Sequence, residues 1–270
     1  MKPSPNIWLI GGTSDSSTLA RALVERGLSC IVTATTEDAR SLYPNSDHLQ
    51  LWVGKLDNRS MEEFARSHHI VAILDASHPF AATISQNAIA FAQHHNLPYL
   101  RYERPSLPKI SDRPNHHTVE SIDALLAGNY MTNQRVLLAI GYQSLPLFQP
   151  WHDRATLFAR VLPSPQSVRV ARDSGFTSDR LIALRPPVPE ALEVSLWQHW
   201  RISLLVTKAS GTAGGELTKR QTCDRLDIAS ITIARPKLDY PELTCDIAEA
   251  VARIGTLYIS GKKRCNIFSS

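Results

Sequence analysis

Four groups of residues carry the side chains from which a ligand site is built. The first is Gly11-Gly12-Thr13-Ser14-Asp15, which ends an apolar run and opens a helical one. Glycines let a backbone approach a phosphate closely. Thr13 and Ser14 can cap the helix or donate hydroxyls, and the helix N-terminus adds amide donors and a favourable dipole. The full GxGxxG fingerprint is absent, and a plain turn capped by Thr13 is the alternative; the context favours phosphate. The second group is Asp75-Ala76-Ser77-His78-Pro79-Phe80. Histidine titrates near neutrality, so His78 can donate a proton or orient a carboxylate, with Asp75 and Ser77 as its catalytic neighbours. A helix cap at Ser77 beside a satisfied histidine is the plainer reading. The other nine histidines fall mostly in polar helix ends and are read as surface.

The third group spans 207–219, where Lys208, Ser210, Gly211, Gly214 and Gly215 leave a strand and enter a helix that carries Lys219. Amides and a lysine there can cradle an anion, although GxxxxGK[ST] is not satisfied and a flexible surface loop is the alternative. The fourth group is distributed: Arg101, Arg104, Arg160, Arg185 and Arg235 stand at or near strand ends. Guanidinium forks suit carboxylates and phosphates, so their convergence, with Lys219, would serve a polyanion, while any single one can be a structural ion-pair partner. Where an adenosine ribose would be held, the chain reads Thr33-Ala34-Thr35-Thr36, with Arg40 beyond. Hydroxyls and an arginine tolerate a 2′-phosphate, so Thr35 and Arg40 point to NADPH, with Glu37 and Asp38 close by.

The elements that must position these residues alternate. Strands are expected at 6–10, 28–34, 49–53, 70–75 and 97–102, with helices at 14–26, 60–69 and 79–95 between them. The run 70–75 is almost wholly apolar, as a parallel strand buried on both faces requires. A proline-rich stretch with Pro105, Pro108 and Pro114 then reads as a hinge. Beyond it come a helix at 119–126, strands at 135–140, 156–161, 180–184, 202–207 and 230–234, and helices at 165–173, 189–200 and 215–226. This alternation predicts an α/β chain of two Rossmann-like parallel-sheet domains facing each other across a cleft. The expected boundaries are 1–105, a linker at 106–117, a second domain at 118–260 and a basic tail at 261–270.

Composition narrows the function classes. The chain has 270 residues, 43% hydrophobic and 20% charged, enough for two packed cores. Its net charge of +4 is spread singly rather than in a basic stripe, which argues against nucleic acid and fits a small anionic ligand. No apolar run approaches the roughly 20 residues of a membrane span, and residues 1–5 do not read as a signal peptide. The four cysteines form no CxxC pair, so neither a metal site nor a disulfide framework is expected, and a cytoplasmic location fits. The two-domain plan works as a monomer.

Taken together, Leu9-Ile10-Gly11-Gly12-Thr13, Asp75-Ala76-Ser77-His78-Pro79-Phe80-Ala81, Tyr99-Leu100-Arg101-Tyr102-Glu103-Arg104-Pro105, Leu184-Arg185-Pro186-Pro187 and Thr207-Lys208-Ala209-Ser210-Gly211 with Gly214-Gly215 resemble the precorrin-6A reductases of cobalamin biosynthesis. The likeness runs from the first strand to about Arg235-Pro236. Asp15 is a departure, because the family commonly has glutamate there. The resemblance implies NADPH and a tetrapyrrole, precorrin-6A or its cobalt form, meeting between two Rossmann-like domains, and reduction of one ring double bond to give precorrin-6B. It implies that Gly11, Gly12, Thr13, Ser14 and the 208–215 loop contact cofactor phosphates or substrate carboxylates, with 75–80 lining the reaction centre. His78 and an ordered water are both open as the proton donor. A short-chain carbonyl reductase would carry Tyr-x-x-x-Lys, which is not found in the relevant region. A non-enzymatic NADPH-sensing protein would need no convergent arginines.

Overall fold

A computed structural model describes residues 4–108 and 115–267, with the backbone alone at 58 and 262–267. The chain forms two units, Met1–Pro105 with Lys237–Ser270, and Ser106–Pro236.

In the first unit the order is β1 (Asn6–Ile10), α1 (Ser14–Glu25), β2 (Cys30–Ala34), β3 (Leu49–Val53), α2 (Asn58–Ser67), β4 (Ile70–Asp75), α3 (Ala82–His94) and β5 (Tyr99–Tyr102). Side chains of a strand alternate between faces, and β1 is apolar on both. Ile7 and Leu9 pack with Leu19 and Leu23 of α1, whereas Trp8 and Ile10 pack with Met61 and Phe64 of α2 and Ala88 of α3. Helices therefore cover both faces of the sheet, and every residue of β4 is buried. Both α1 and α2 start in capping boxes, Thr13 with Ser16 and Asp57 with Ser60, each satisfying otherwise orphaned amides. The helix expected at 79–95 begins at Ala82 instead. The Phe80 amide donates to His78 Nδ1 at 3.2 Å and the Ala81 amide to the His78 carbonyl at 2.7 Å, so a turn precedes the helix.

The second unit contains β6 (His116–Val119), α4 (Ile122–Ala127), β7 (Arg135–Ala139), β8 (Thr156–Val161), α5 (Pro165–Asp173), β9 (Leu181–Ala183), α6 (Glu190–Trp200), β10 (Leu204–Lys208), α7 (Glu216–Leu226) and β11 (Ala229–Ile233). Leu137, Phe158 and Leu205 bury one face of its sheet against Trp197 and Trp200 of α6 and Cys223 of α7. The chain then returns to the first unit as β12 (Leu243–Thr244) and α8 (Ile247–Ile267).

Every strand pairing in both sheets is parallel. The strand orders are β12-β5-β4-β1-β2-β3 and β6-β11-β10-β7-β8-β9. The expected boundaries need correction at both ends of the second domain. β6 starts inside the expected 106–117 linker, pairing with β11, while 109–114 fall outside the described residues. The stretch after Pro236, expected to complete the second domain and then trail off, belongs to the first. Leu243 and Thr244 extend the sheet beside β5, and Ala250, Val251 and Ile254 of α8 fill the core above β1. The expected tail at 261–270 begins within this helix. A Cβ on Gly261 would lie 2.9 Å from Val71 Cβ, so only glycine lets α8 run this close to β4; residues 268–270 lie outside the described residues.

Candidate functional site

Ligands of open parallel sheets bind beyond the carboxyl ends of strands where the winding direction reverses. The first sheet reverses between β1 and β4, and the second between β7 and β10. Three of the loops singled out in the sequence leave these strands: 11–14 after β1, 76–81 after β4 and 209–215 after β10. The loop after β7, with Gly141 and Ser144, completes the second reversal and was missed. Its signal was a glycine directly after an apolar strand.

At the first reversal, Gly12 adopts φ +90 and has no atom within 4 Å of the place a Cβ would take. Thr13 is spent on architecture. Its hydroxyl accepts from the Ser16 amide at 3.0 Å and donates to the Ala76 carbonyl at 2.9 Å, tying the β1 and β4 loops together. Ser14 is exposed at the start of α1. Tyr43, which the sequence did not single out, shapes the turn from below: its hydroxyl accepts from the Gly12 amide at 2.7 Å and lies 2.7 Å from Ser16 Oγ. A Cβ on Gly11 would collide with that hydroxyl and come within 2.8 Å of Val32 Cγ1. At the tip of β2, Thr35 is exposed, and Arg40 pairs with Glu37 at 3.1 Å, both largely exposed.

The loop after β4 rests on a buried network. Asp75 Oδ1 accepts from the Ser77 amide at 2.9 Å and from Arg101 Nη1 at 2.8 Å; Oδ2 accepts from Ser85 and Tyr99 hydroxyls, each at 2.6 Å. Arg101 Nη1 also reaches Ser77 Oγ at 2.9 Å, and its Nη2 reaches Glu103 at 3.2 Å. Burial alone would raise the Asp75 pKa, but Arg101 and these hydrogen bonds hold it below the usual carboxylate range. Asp75 and Ser77 thus brace the loop, while His78 is only half-buried. With Nδ1 accepting from Phe80, a neutral His78 ring carries its proton on Nε2.

The distributed cations do not share one exposed surface. Arg101 is fully buried. Arg104 Nε pairs with Asp15 at 2.5 Å, so the residue that departs from the family pattern anchors it. Arg160 pairs with the buried Glu193, which also accepts from Trp197 Nε1 at 2.9 Å. Lys219 is 3% exposed, donates to Thr207 Oγ1 at 2.7 Å, and burial drives its pKa down to about 7. Arg235 Nε holds the Ala209 carbonyl at 2.8 Å. Arg185 alone of the set is exposed, with no hydrogen bond or ion pair among the described residues. These ion pairs satisfy charges that folding buries, as long-range structural partners do. Two histidines read as surface are likewise engaged: His116 Nδ1 lies 2.5 Å from Ser230 Oγ, and His152 Nε2 lies 2.9 Å from the Ser174 carbonyl.

In the loop after β10, Glu216 Oε2 accepts from the Gly211 amide at 2.7 Å and Oε1 from Arg220 at 2.5 Å. Ser210 Oγ lies 3.4 Å from the Gly214 carbonyl, and Gly215 turns into α7 at φ +70. Lys208 Nζ reaches Ser144 Oγ at 3.5 Å, and burial lowers its pKa. No group of three or more His, Cys, Asp or Glu among the described residues could hold a metal, and no described helix is long and apolar enough to cross a membrane.

Two doubly wound parallel sheets, each reversing beside a glycine-bearing loop, define an α/β protein of the Rossmann-like class. The chain belongs to the precorrin-6x reductase CbiJ/CobK family, whose pattern matches residues 6–255. It is 45% identical over 246 residues to the cobalt-precorrin-6A reductase of Synechocystis sp., covering 90% of this chain and 93% of that one. It is 31% identical over 256 residues to the precorrin-6A reductase of Rhodococcus erythropolis, covering 93% and 98%. A solved CobK precorrin-6A reductase shares the fold at a TM-score of 0.75 and 21% identity, over 94% of this chain and 97% of that one. The family is one of oxidoreductases acting on a CH–CH bond, which implies a nicotinamide cofactor.

Proposed function

We propose that this chain uses NADPH to reduce one ring double bond of precorrin-6A, or of its cobalt form, giving precorrin-6B. The observation that carries the reading is the β1/β4 reversal. Open space stands over Gly12, and an exposed helix start at Ser14 lies beside a loop bearing the half-buried His78. These residues fit a dinucleotide. A phosphate can approach Gly12 and the first turn of α1 as no side chain there would allow. Thr35 and Arg40 offer a hydroxyl and a guanidinium for the 2′-phosphate; the exposed Glu37 pairing is weak enough to give way.

A bound nicotinamide supplies the hydride that one ring carbon accepts. His78 then serves as the proton donor to the neighbouring carbon through Nε2. Asp75, Ser77 and Arg101 act on it from beneath by fixing the loop. The acetate and propionate groups of the macrocycle call for cations, which Lys208 and Arg185 present at strand ends of the second unit. Cys30, Cys223 and Cys245 are free thiols, consistent with action in the reducing cytoplasm, and the two-unit chain serves as a monomer. Purified protein mixed with NADPH and precorrin-6A, or its cobalt form, should consume nicotinamide absorbance only when both are present, and faster than with NADH. Absence of substrate-dependent consumption would refute the reading.

A further inference from the structure

We propose that Tyr43 is a positioning residue for cofactor choice: its hydroxyl locks the segment that carries Arg40 to the turn after β1, so that the places for the 2′-phosphate and for the pyrophosphate are held as one piece. This rests on the NADPH-dependent reductase reading and adds to it what makes NADPH preferred over NADH.

The direction of each bond under the turn follows from the protons available. A hydroxyl has one proton to donate and two lone pairs to accept with. Ser16 Oγ accepts from the Thr13 amide at 3.0 Å and donates its proton to the Thr13 carbonyl at 2.8 Å. The 2.7 Å contact between Ser16 and Tyr43 is therefore a donation from Tyr43, whose oxygen also accepts from the Gly12 amide at 2.7 Å. Burial raises the Tyr43 pKa, so the phenol keeps the proton that this arrangement needs. A single run of bonds thus leads from the Gly12 amide through Tyr43 and Ser16 to the Thr13 carbonyl. Tyr43 is the one member of that run from outside the turn and α1.

The segment that Tyr43 closes has few other anchors. Glu37–Leu42 is a short 3-10 stretch, a geometry with poorer hydrogen bonds than an α-helix. Thr36 gives it no side-chain cap, and within it only Ala39 is buried. Ala39 and Tyr43 pack into the same core as Leu19 and Val32. A second tie runs from the Ser17 hydroxyl to the Leu42 carbonyl, so both ties land at the opening of α1. Arg40 is largely exposed, and its guanidinium pairs with Glu37 of the same stretch, so the segment itself places it. The Tyr43 amide donates to the Arg40 carbonyl at 3.3 Å, which carries the anchor back to that residue. A guanidinium serves a 2′-phosphate best when it is already in place while the pyrophosphate sits on the turn, and the Tyr43 hydroxyl supplies that preorganisation.

The test is binding of NADPH and of NADH to the full chain, followed by nicotinamide fluorescence, in wild type, Tyr43→Phe, Arg40→Gln and the double variant, with thermal unfolding to check folding. Tyr43→Phe keeps the ring in the core and removes only the hydroxyl. It should weaken NADPH by about tenfold, the loss of one or two hydrogen bonds, and NADH by less, so the preference for NADPH falls. In the Arg40→Gln background the same change should weaken the two nucleotides alike, because a residue that acts through Arg40 is non-additive with it. A merely structural role would lower stability and leave the ratio of NADPH to NADH affinity as in wild type. A wild-type preference retained in folded Tyr43→Phe, or a ratio that falls equally with and without Arg40, would overturn the role of Tyr43 alone. Should Tyr43→Phe not fold, Ser17→Ala, which cuts only the tie to Leu42, decides by the same ratio. A wild type that binds neither nucleotide, or NADH as tightly as NADPH, would overturn the cofactor reading and the role of Tyr43 together.

Discussion

Arg101 Nη1 lies 2.8 Å from Asp75 Oδ1, and both side chains are withdrawn from water, 1% and 0% exposed. Removing one partner of such a pair strands the other charge in the core. Arg101→Met should therefore destabilise the protein by about 3–5 kcal/mol in a denaturant titration; a loss below about 1 kcal/mol would show that the pair is not what braces the loop after β4. The same pair sets an acid limit. Asp75 is held below the usual carboxylate range, so its stabilisation is complete above about pH 4 and disappears as pH falls through its lowered folded-state pKa. Asp75→Asn should flatten the pH dependence of stability in that acid window.

Gly11 is fixed by Tyr43. Gly11→Ala should destabilise by about 1–3 kcal/mol, the usual effect of overpacking, and weaken NADPH binding. Because the obstructing atom is the Tyr43 hydroxyl, Gly11→Ala with Tyr43→Phe should recover part of the stability. A double variant no more stable than Gly11→Ala would locate the strain at Val32 instead.

Lys219 illustrates a cation that the fold has turned inward. With its folded pKa driven by burial down to about 7, against an ordinary lysine value near about 10.4, the unfolded chain binds the extra proton between those limits. Stability should rise with pH across that window in wild type, by up to roughly 1.4 kcal/mol per pH unit, and not in Lys219→Met. Parallel stability profiles for the two proteins between pH 7 and 9 would contradict the placement.

The proposed proton donor is His78, half-buried in the loop that the Asp75 network braces. His78→Ala should lower kcat by about a hundredfold or more with NADPH affinity nearly unchanged, as expected for loss of general acid catalysis. Unchanged turnover would assign the proton to an ordered water.

The parallel sheets were legible because β1, β4, β7 and β10 are apolar on both faces, and strand runs between helical periods admit few other arrangements. What escaped was set by distant residues. β6 is largely polar and exposed at a sheet edge, and β12 is two residues long, so neither has a local signature. The return of α8 to the first unit depends on Gly261 meeting Val71. The strand-end arginines were legible as cations, but their internal ion-pair partners were not. Arg104 finds Asp15 across 89 positions and Arg160 finds Glu193 across 33, separations that no spacing rule spans. The glycine loops were found from composition, whereas the atoms that cap their amides were not: Tyr43 Oη comes from outside the first motif, and Glu216 Oε2, inside the third, folds back on Gly211.

The central claim is that this chain moves a hydride from NADPH to a ring carbon of precorrin-6A. Turnover with NADPH deuterated at the transferring position, followed by mass spectrometry of the tetrapyrrole, tests it most directly. The product should carry a single deuterium, and unlabelled NADPH in deuterated water should place a single solvent deuterium on the neighbouring carbon. A product formed with no label from the nicotinamide, or no product at all, would contradict the account.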